Sequence, residues 1–293
     1  MPPPPRAAPR THAILPDDPV FPEPMMNDRY AKYERLTFDR PHHKVLRIRL
    51  DNGKMNTADH RMHWELAEIW NDVDADPEIN AAIITGNDRF FSAGGDFAMV
   101  EDLMNDAEAR ARGWKEARAI VYNLINCNKP VISAMRGVAV GAGLVTGILA
   151  DISIATKECR IIDGHTRLGV AAGDHAAIIW PLLCGMARAK YWLLLCDTLH
   201  GEQAAEIGLI SLAVEDAELD DKAVELATRL ATGAQSAIRW TKHSLNNWLR
   251  QMGPTFDASL ALEFLGFAGA EPQEGVRSHK EKRSPAWPET SAV

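Results

Sequence analysis

The chain has 293 residues, enough for one large domain or two modest ones around a sizeable buried core. Hydrophobic residues make up 46% and charged residues 25%, the balance of an ordinary soluble globular protein, and a net charge of −8 argues against a broad nucleic-acid-binding surface. Cys127, Cys159, Cys184 and Cys196 sit among apolar neighbours without a CxxC pair, which predicts buried free thiols in a reducing compartment rather than disulfides or a zinc site.

Residues 1–27 open with MPPPPRAAPR and hold few large apolar side chains. They lack the apolar run of a secretory signal and cannot bury enough surface to fold alone, so a flexible proline-rich arm is expected. Residues 28–215 are expected to form an α/β core. In KVLRIRLD, Leu46, Ile48 and Leu50 alternate with Arg47 and Arg49, the period of a half-buried strand, and with YERLTFD it predicts a hairpin whose turn holds His42 and His43. Thr57 or Asp59 can cap the helix that follows; its His60 and His63 are one turn apart but have no companion ligand set, so no metal is expected there.

INAAIITG, KPVISAMRG, DISIAT and RIID read as buried strands with helix-like stretches between them, including one charged segment over residues 98–126. That order predicts parallel pairing. The most apolar stretch, GVAVGAGLVTGILADISIATK, is glycine-rich and broken by Asp151, which makes it core rather than a membrane span and the protein cytoplasmic. Residues 216–293 read as a C-terminal helical region. Its Ile238, Trp240, Leu245, Trp248, Leu249, Phe256, Leu260, Leu262, Phe264 and Phe267 exceed what one helical face needs, so a subunit interface is expected.

Three stretches carry candidate chemistry. FFSAGGDFAMV runs from a strand through Ser92, Ala93, Gly94, Gly95 and Asp96 into a helix, a place where backbone N–H groups can hold an anion; a tight turn capped by Asp96 is the plainer reading. RGVAVGAGLVTG follows another strand, and Thr146 stands where a dinucleotide-binding GxGxxG needs its last glycine, so a second backbone donor at a helix start fits better. DGHTRLGVAAGD holds Asp163, His165, Arg167 and Asp174 in an otherwise small and apolar run. Three such junctions at one sheet edge would make one crevice.

These stretches, with ADISIAT, GEQAAEIGLI and EGVRSHKEKR in the same order, resemble the enoyl-CoA hydratase/isomerase or crotonase superfamily over about residues 30–285. The resemblance implies a crotonase-like spiral of β-β-α turns with a C-terminal helical trimerisation region, assembled as a homotrimer or homohexamer. It implies an acyl-CoA substrate, with coenzyme A as part of the substrate and no metal or redox cofactor. The thioester oxygen would lie between the N–H groups of Gly95 and Ala142. Lys54, Met55 and Asn56, with Ala93, Gly94, Gly141 and Val145, would make the substrate and CoA contacts. Lys280, Lys282 and Arg283 cluster in an otherwise acidic chain, which fits either contacts to the CoA phosphates or a solvated terminal charge run. Trp114, Trp180 and Met99 would shape the pocket or fill the core.

Two departures change the expected chemistry. Family hydratases use two glutamates; the first position falls on Val145, beside Leu144, and the second on His165. Asp174 follows His165 at the spacing of the family branch containing 6-oxocamphor hydrolase, a carbon–carbon bond hydrolase of cyclic diketones. The resemblance thus implies His165 as proton carrier, oriented or assisted by Asp174, with Asp163, Asp96 or Glu101 as alternative carriers. Three readings stand: an acyl-CoA enzyme of the family, a cyclic β-diketone hydrolase, and a catalytically silent acyl-CoA-binding homologue.

Overall fold

A computed structural model of the protein describes residues 28–53, 55–290 and 293; the expected arm over 1–27 and the candidate contact Lys54 lie outside the described residues. The hairpin is formed by β1 (Leu36–His42) and β2 (Val45–Leu50), antiparallel with Phe38 opposite Ile48, and Lys44 closes its turn at φ 61°. Helix α1 (His60–Ala75) is capped by Asp59, whose side chain accepts from the Met62 N–H. Its Met62, Leu66, Ile69, Trp70 and Val73 line the core.

The chain continues through β3 (Ala81–Thr85), β4 (Ser92–Ala93), α2 (Phe97–Asn105) and α3 (Ala107–Asn126). The segment read as one helical stretch is therefore two helices. Asp106 ends the first and caps the second, its side chain accepting from the Glu108 N–H. Next come β5 (Val131–Met135), β6 (Val138–Val140), α4 (Gly141–Leu149), β7 (Ile152–Thr156), β8 (Arg160–Ile162), α5 (His165–Leu168), α6 (Ala176–Cys184), α7 (Met186–Leu195), β9 (Leu199–His200), α8 (Gly201–Glu206) and β10 (Leu212–Val214). Five helices close the chain: α9 (Leu219–Ala231), α10 (Gln235–Leu245), α11 (Asn247–Gln251), α12 (Gly253–Gly266) and α13 (Glu271–Lys280).

The strands form two sheets. The larger has the order β1-β2-β3-β5-β7-β10 and is parallel from β2 onwards; the smaller has the order β4-β6-β8-β9, with β9 antiparallel at its edge. Successive turns of the chain place one strand in the large sheet and the next in the small one, a β-β-α spiral. RIID is thus a strand of the small sheet, not a fourth member of the large one. At the second crossing, Gly137 adopts φ +67°, and a Cβ there would lie 1.8 Å from the Arg89 carbonyl oxygen.

The large sheet is covered on both faces, as its nearly unbroken apolar parallel strands require. On one side it meets the main core around Trp70, Phe91 and Trp180. On the other, Leu219, Ala223, Ala227 and Ala231 of α9 pack on Val45, Ala81, Ile83, Ile132, Ala134 and Ile154. Among the described residues no helix is long and apolar enough to cross a membrane.

The later C-terminal helices divide their apolar residues. Leu249, Phe256, Leu260, Phe264 and Phe267 are buried, whereas Trp240, Trp248, Leu262 and Leu265 are 60–72% exposed. On α6 and α7, Leu182, Met186, Leu194 and Leu195 are exposed as well. Large apolar groups in such number are unfavourable in water, so the protein is expected to run as a trimer or hexamer in light scattering at micromolar concentration. A monomeric mass would contradict this.

Candidate active site

Strands β4, β6 and β8 lie side by side and parallel, with Ala93 opposite Val140 and Val140 opposite Ile162. Gly94, Gly141 and Asp163 are therefore the next residues along three neighbouring strands, and all three strand-to-helix junctions leave the same end of the small sheet. Val140 sits between the outer two: a Cβ on Gly94 would lie 3.1 Å from its Cγ1, and one on Gly164 3.8 Å.

At the first junction the chain bends through Gly94 and Gly95 into α2. The Ala58 N–H donates to the Gly94 carbonyl at 2.8 Å, and the Asp96 N–H donates to the Ala58 carbonyl at 2.9 Å. Because the C=O and N–H of one trans peptide point in opposite directions, the Gly95 N–H faces away from Ala58, and no acceptor for it is found among the described residues. Asp96 caps α2, accepting from the Ala98 N–H at 2.8 Å.

At the second junction β6 runs straight into α4. Gly141 adopts φ +58°, and a Cβ there would come within 2.9 Å of Gly94 Cα and 3.3 Å of Gly95 N. Only glycine lets the two loops approach so closely. Val140 supplies no side-chain cap to α4, so the Ala142 N–H, in the first turn, has no intrahelical acceptor. Gly95 and Ala142 are both half-buried, so a ligand can reach them. Leu144 and Val145 point into the apolar core.

The segment expected to contact CoA behaves unevenly. Met55 is exposed, and its carbonyl accepts from the Ala93 N–H at 3.1 Å. Asn56 is fully buried. Its amide donates to the Leu50 carbonyl at 3.0 Å and accepts from the Asn52 N–H at 2.9 Å, which holds the loop at φ 49°.

The third junction carries ionisable groups. His165 opens α5, and its Nδ1 lies 2.9 Å from Asp163 Oδ1. Its Nε2 faces Asp174 Oδ2 and Glu263 Oε1, each at 3.6 Å. The ring therefore hydrogen-bonds to Asp163, whose carboxylate accepts, whereas sequence reasoning gave that part to Asp174. Asp174 is held by its neighbour: His175 Nδ1 lies 2.6 Å from Asp174 Oδ1, and the His175 N–H donates to the same oxygen at 2.7 Å. Trp180 Nε1–H donates to His175 Nε2 at 3.5 Å. Glu263 arrives from α12, seated by Ser259 Oγ–H, which donates to the Gly173 carbonyl at 2.7 Å. Among the described residues, Asp163, His165 and Asp174 also form the one group of side chains whose cation-ligating atoms all lie within 4.8 Å of one another.

These groups set one another's charge. Burial disfavours the His165 imidazolium, but the carboxylates of Asp163, Asp174 and Glu263 outweigh it and hold the ring well above its ordinary value. Burial also opposes ionisation of Asp174, but the two histidines beside it keep its carboxyl well below the usual range. Glu263 is pushed up to about 8, chiefly by burial, with His165 opposing and Asp174 adding. The result is a buried acid–base cluster in which three acidic neighbours favour protonation of the central ring.

Sequence reasoning missed Glu263 and the part of His175. A signal for Glu263 was present: it lies three residues after Leu260, seven after Phe256 and four before Phe267, on the core face of an apolar helix. Other candidates are engaged elsewhere. Glu101 pairs with Lys280 at 2.5 Å, and Arg283 pairs with Glu274 and Glu281; among the described residues no ion pair is found for Lys282. His60 meets Asp102 on α2 and His63 meets Glu116 on α3, so the two rings do not converge. Trp180 and Met99 are buried, and Trp114 is partly exposed.

Over residues 40–290 the chain matches the family described as enoyl-CoA hydratase/isomerase. It is 33% identical over 243 residues to the 1,2-epoxyphenylacetyl-CoA isomerase of Escherichia coli (strain K12), covering 80% of this chain and 90% of that one. A crystal structure of an enoyl-CoA hydratase/isomerase from Mycobacterium paratuberculosis superimposes with a TM-score of 0.80 at 29% identity, over 84% of this chain and 99% of the other. A beta-diketone hydrolase from the cyanobacterium Anabaena sp. PCC 7120, bound to (S)-3-oxocyclohexyl acetic acid, gives 0.77 at 27%, over 83% and 98%.

The raised values of His165 and Glu263 make stability depend on pH. Above the ordinary value of each group the native state holds a proton that the unfolded chain has released, so stability falls as pH rises through that window. For Glu263 the window runs from 4.5 to about 8. Thermal melts are expected to show a lower midpoint at pH 8 than at pH 5. Glu263→Gln, which has no proton to release, is expected to flatten that drop by on the order of 5 °C. Parallel pH dependence in the two proteins would show that Glu263 ionises normally.

Proposed function

Since this chain belongs to the enoyl-CoA hydratase/isomerase family, we propose that it acts on an acyl-CoA thioester, binding the thioester oxygen between the N–H groups of Gly95 and Ala142 and moving the proton through His165. The observation that carries this reading is the adjacency of two unpaired backbone donors and a buried acid–base cluster on three neighbouring strand ends. Donors fixed by the fold need no reorganisation as negative charge grows on the oxygen, and such donors supply the largest catalytic contribution of this kind of site.

The charge of the cluster gives the steps an order. Three acidic neighbours favour the protonated form of His165, which can give a proton either to carbon of the enolate formed when water adds to the double bond or to a departing oxygen. The ring left behind is neutral and still hydrogen-bonded to Asp163, which fixes its orientation. Glu263, with its carboxyl near 8, can return the proton across the gap to Nε2 at neutral pH. Asp174 stays ionised and stabilises the cationic ring. Water is the second substrate for hydration, and the proton it loses as it attacks replaces the one given up by Glu263; isomerisation runs from the neutral ring, which takes a proton from one carbon and returns it to another. With Val145 at the first glutamate position of the family hydratases, no acid at that position takes part.

A second reading has its own support in the solved beta-diketone hydrolase, which shares the fold at 27% identity. There the same donors would hold the enolate released when water cleaves a carbon–carbon bond, and His165 would protonate the carbon. Calorimetry with free CoA separates the two: measurable binding favours the thioester, and its absence, with turnover of a cyclic β-diketone, favours the hydrolase.

His165→Ala is expected to lower kcat on the thioester substrate about 10²- to 10⁴-fold. Circular dichroism, oligomer size and affinity for acyl-CoA are expected to stay unchanged, because the backbone donors survive. Near-wild-type turnover in a folded variant would remove His165 from the chemistry.

A further inference from the structure

We propose that Trp180 and His175 form a buried relay that fixes the tautomer of His175 and thereby aims the carboxylate of Asp174 at His165. The inference rests on the reading of His165 given above and names two positioning residues for it. His175 is 1% exposed, and both of its ring nitrogens are engaged. The indole N–H of Trp180 is a donor only. It points at Nε2, so Nε2 is the nitrogen without a proton, and the proton sits on Nδ1, where it is donated to Asp174 Oδ1 at 2.6 Å. The opposite tautomer would set two hydrogens against each other at Nε2 and leave Asp174 facing a lone pair.

The consequence lies in the shape of the carboxylate contacts. Asp174 Oδ1 takes two donors from one residue, the ring Nδ1–H and the backbone N–H of His175. These anchor one oxygen and fix the plane of the carboxylate. The other oxygen, Oδ2, is left toward His165 Nε2 at 3.6 Å, beside Glu263. Asp163 orients His165 from its Nδ1 side, and the relay orients the charge on its Nε2 side. Among the described residues no hydrogen bond joins Trp180 to His165, Asp163, Asp174 or Glu263. Trp180 acts because it is fully buried in α6, five residues after the ring it contacts.

Selective ¹⁵N-histidine NMR of the full chain tests the relay without any substrate. At neutral pH His175 is expected as the Nδ1–H tautomer; an Nε2–H tautomer or a doubly protonated ring overturns the proposal. In Trp180→Phe, Nε2 loses the donor that faces it, so a ring carrying a second proton on Nε2 is expected to appear while Nδ1–H stays on Asp174, and kcat to fall about 10-fold with KM unchanged. His175→Asn, which keeps an amide donor near the Nδ1 position, is expected to stay within about 3-fold of wild type, while His175→Leu loses about 10-fold or more. Equal loss in the Asn and Leu variants, both folded, would reduce His175 to a packing residue and overturn the aiming role. The tautomer is read in the resting protein, so it stands or falls separately from His165→Ala, whose full activity would sink the catalytic reading alone.

Discussion

The pairing of three very short parallel strands governs this molecule. Two residues of β4, three of β6 and three of β8 lie in register, and each strand ends where a helix begins. Every group in the candidate site either follows one of those ends or packs against it. The spacing between neighbouring strands, about 4.8 Å, is also the spacing at which two backbone donors can share one oxygen. Gly141 permits that spacing to persist beyond the last ladder bond, because the two loops come together where a side chain would hold them apart. The small sheet is in turn held by the large one, since the crossings between them are as short as two residues.

Into this frame the fold places a group of charges that a core would normally reject. His165, Asp163, Asp174 and Glu263 are all largely removed from water. Asp163 Oδ2 and Glu263 Oε2 have no hydrogen-bond partner among the described residues. An unpaired buried polar atom costs about 1–3 kcal/mol, and a packed apolar substitute would avoid that cost. A cluster that lowers stability and yet places a proton donor beside two carboxyl groups is what an acid–base site requires.

Much of this was legible in the sequence. The alternation of Leu46, Ile48 and Leu50 gave the hairpin, and the small residues around Gly94 and Gly141 marked backbone that could approach a ligand. Asp59 was legible as a cap because a short acceptor before an apolar helix has few other uses. What escaped was set by tertiary packing. Strands of two or three residues are too short to show a period, so the second sheet could not be read. Asp174 read as the partner of His165 and Asp163 only as an alternative carrier, but the turn at Gly164 brings Asp163 to the ring. The left-handed backbone of Asn56, which turns its amide inward to hold its own loop together, leaves no mark in the sequence.

Helix α12 faces two ways. Glu263 looks inward at His165, while Leu262 and Leu265, its near neighbours in sequence, look out into solvent. A helix is stiff over so few residues, so its two faces cannot move independently. Whatever covers the outer leucines presses on the same rod that sets the distance from Glu263 to the imidazole. Occupancy of the outer face and the proton inventory of the inner one are therefore thermodynamically linked variables: a change in the one is a change in the free energy of the other.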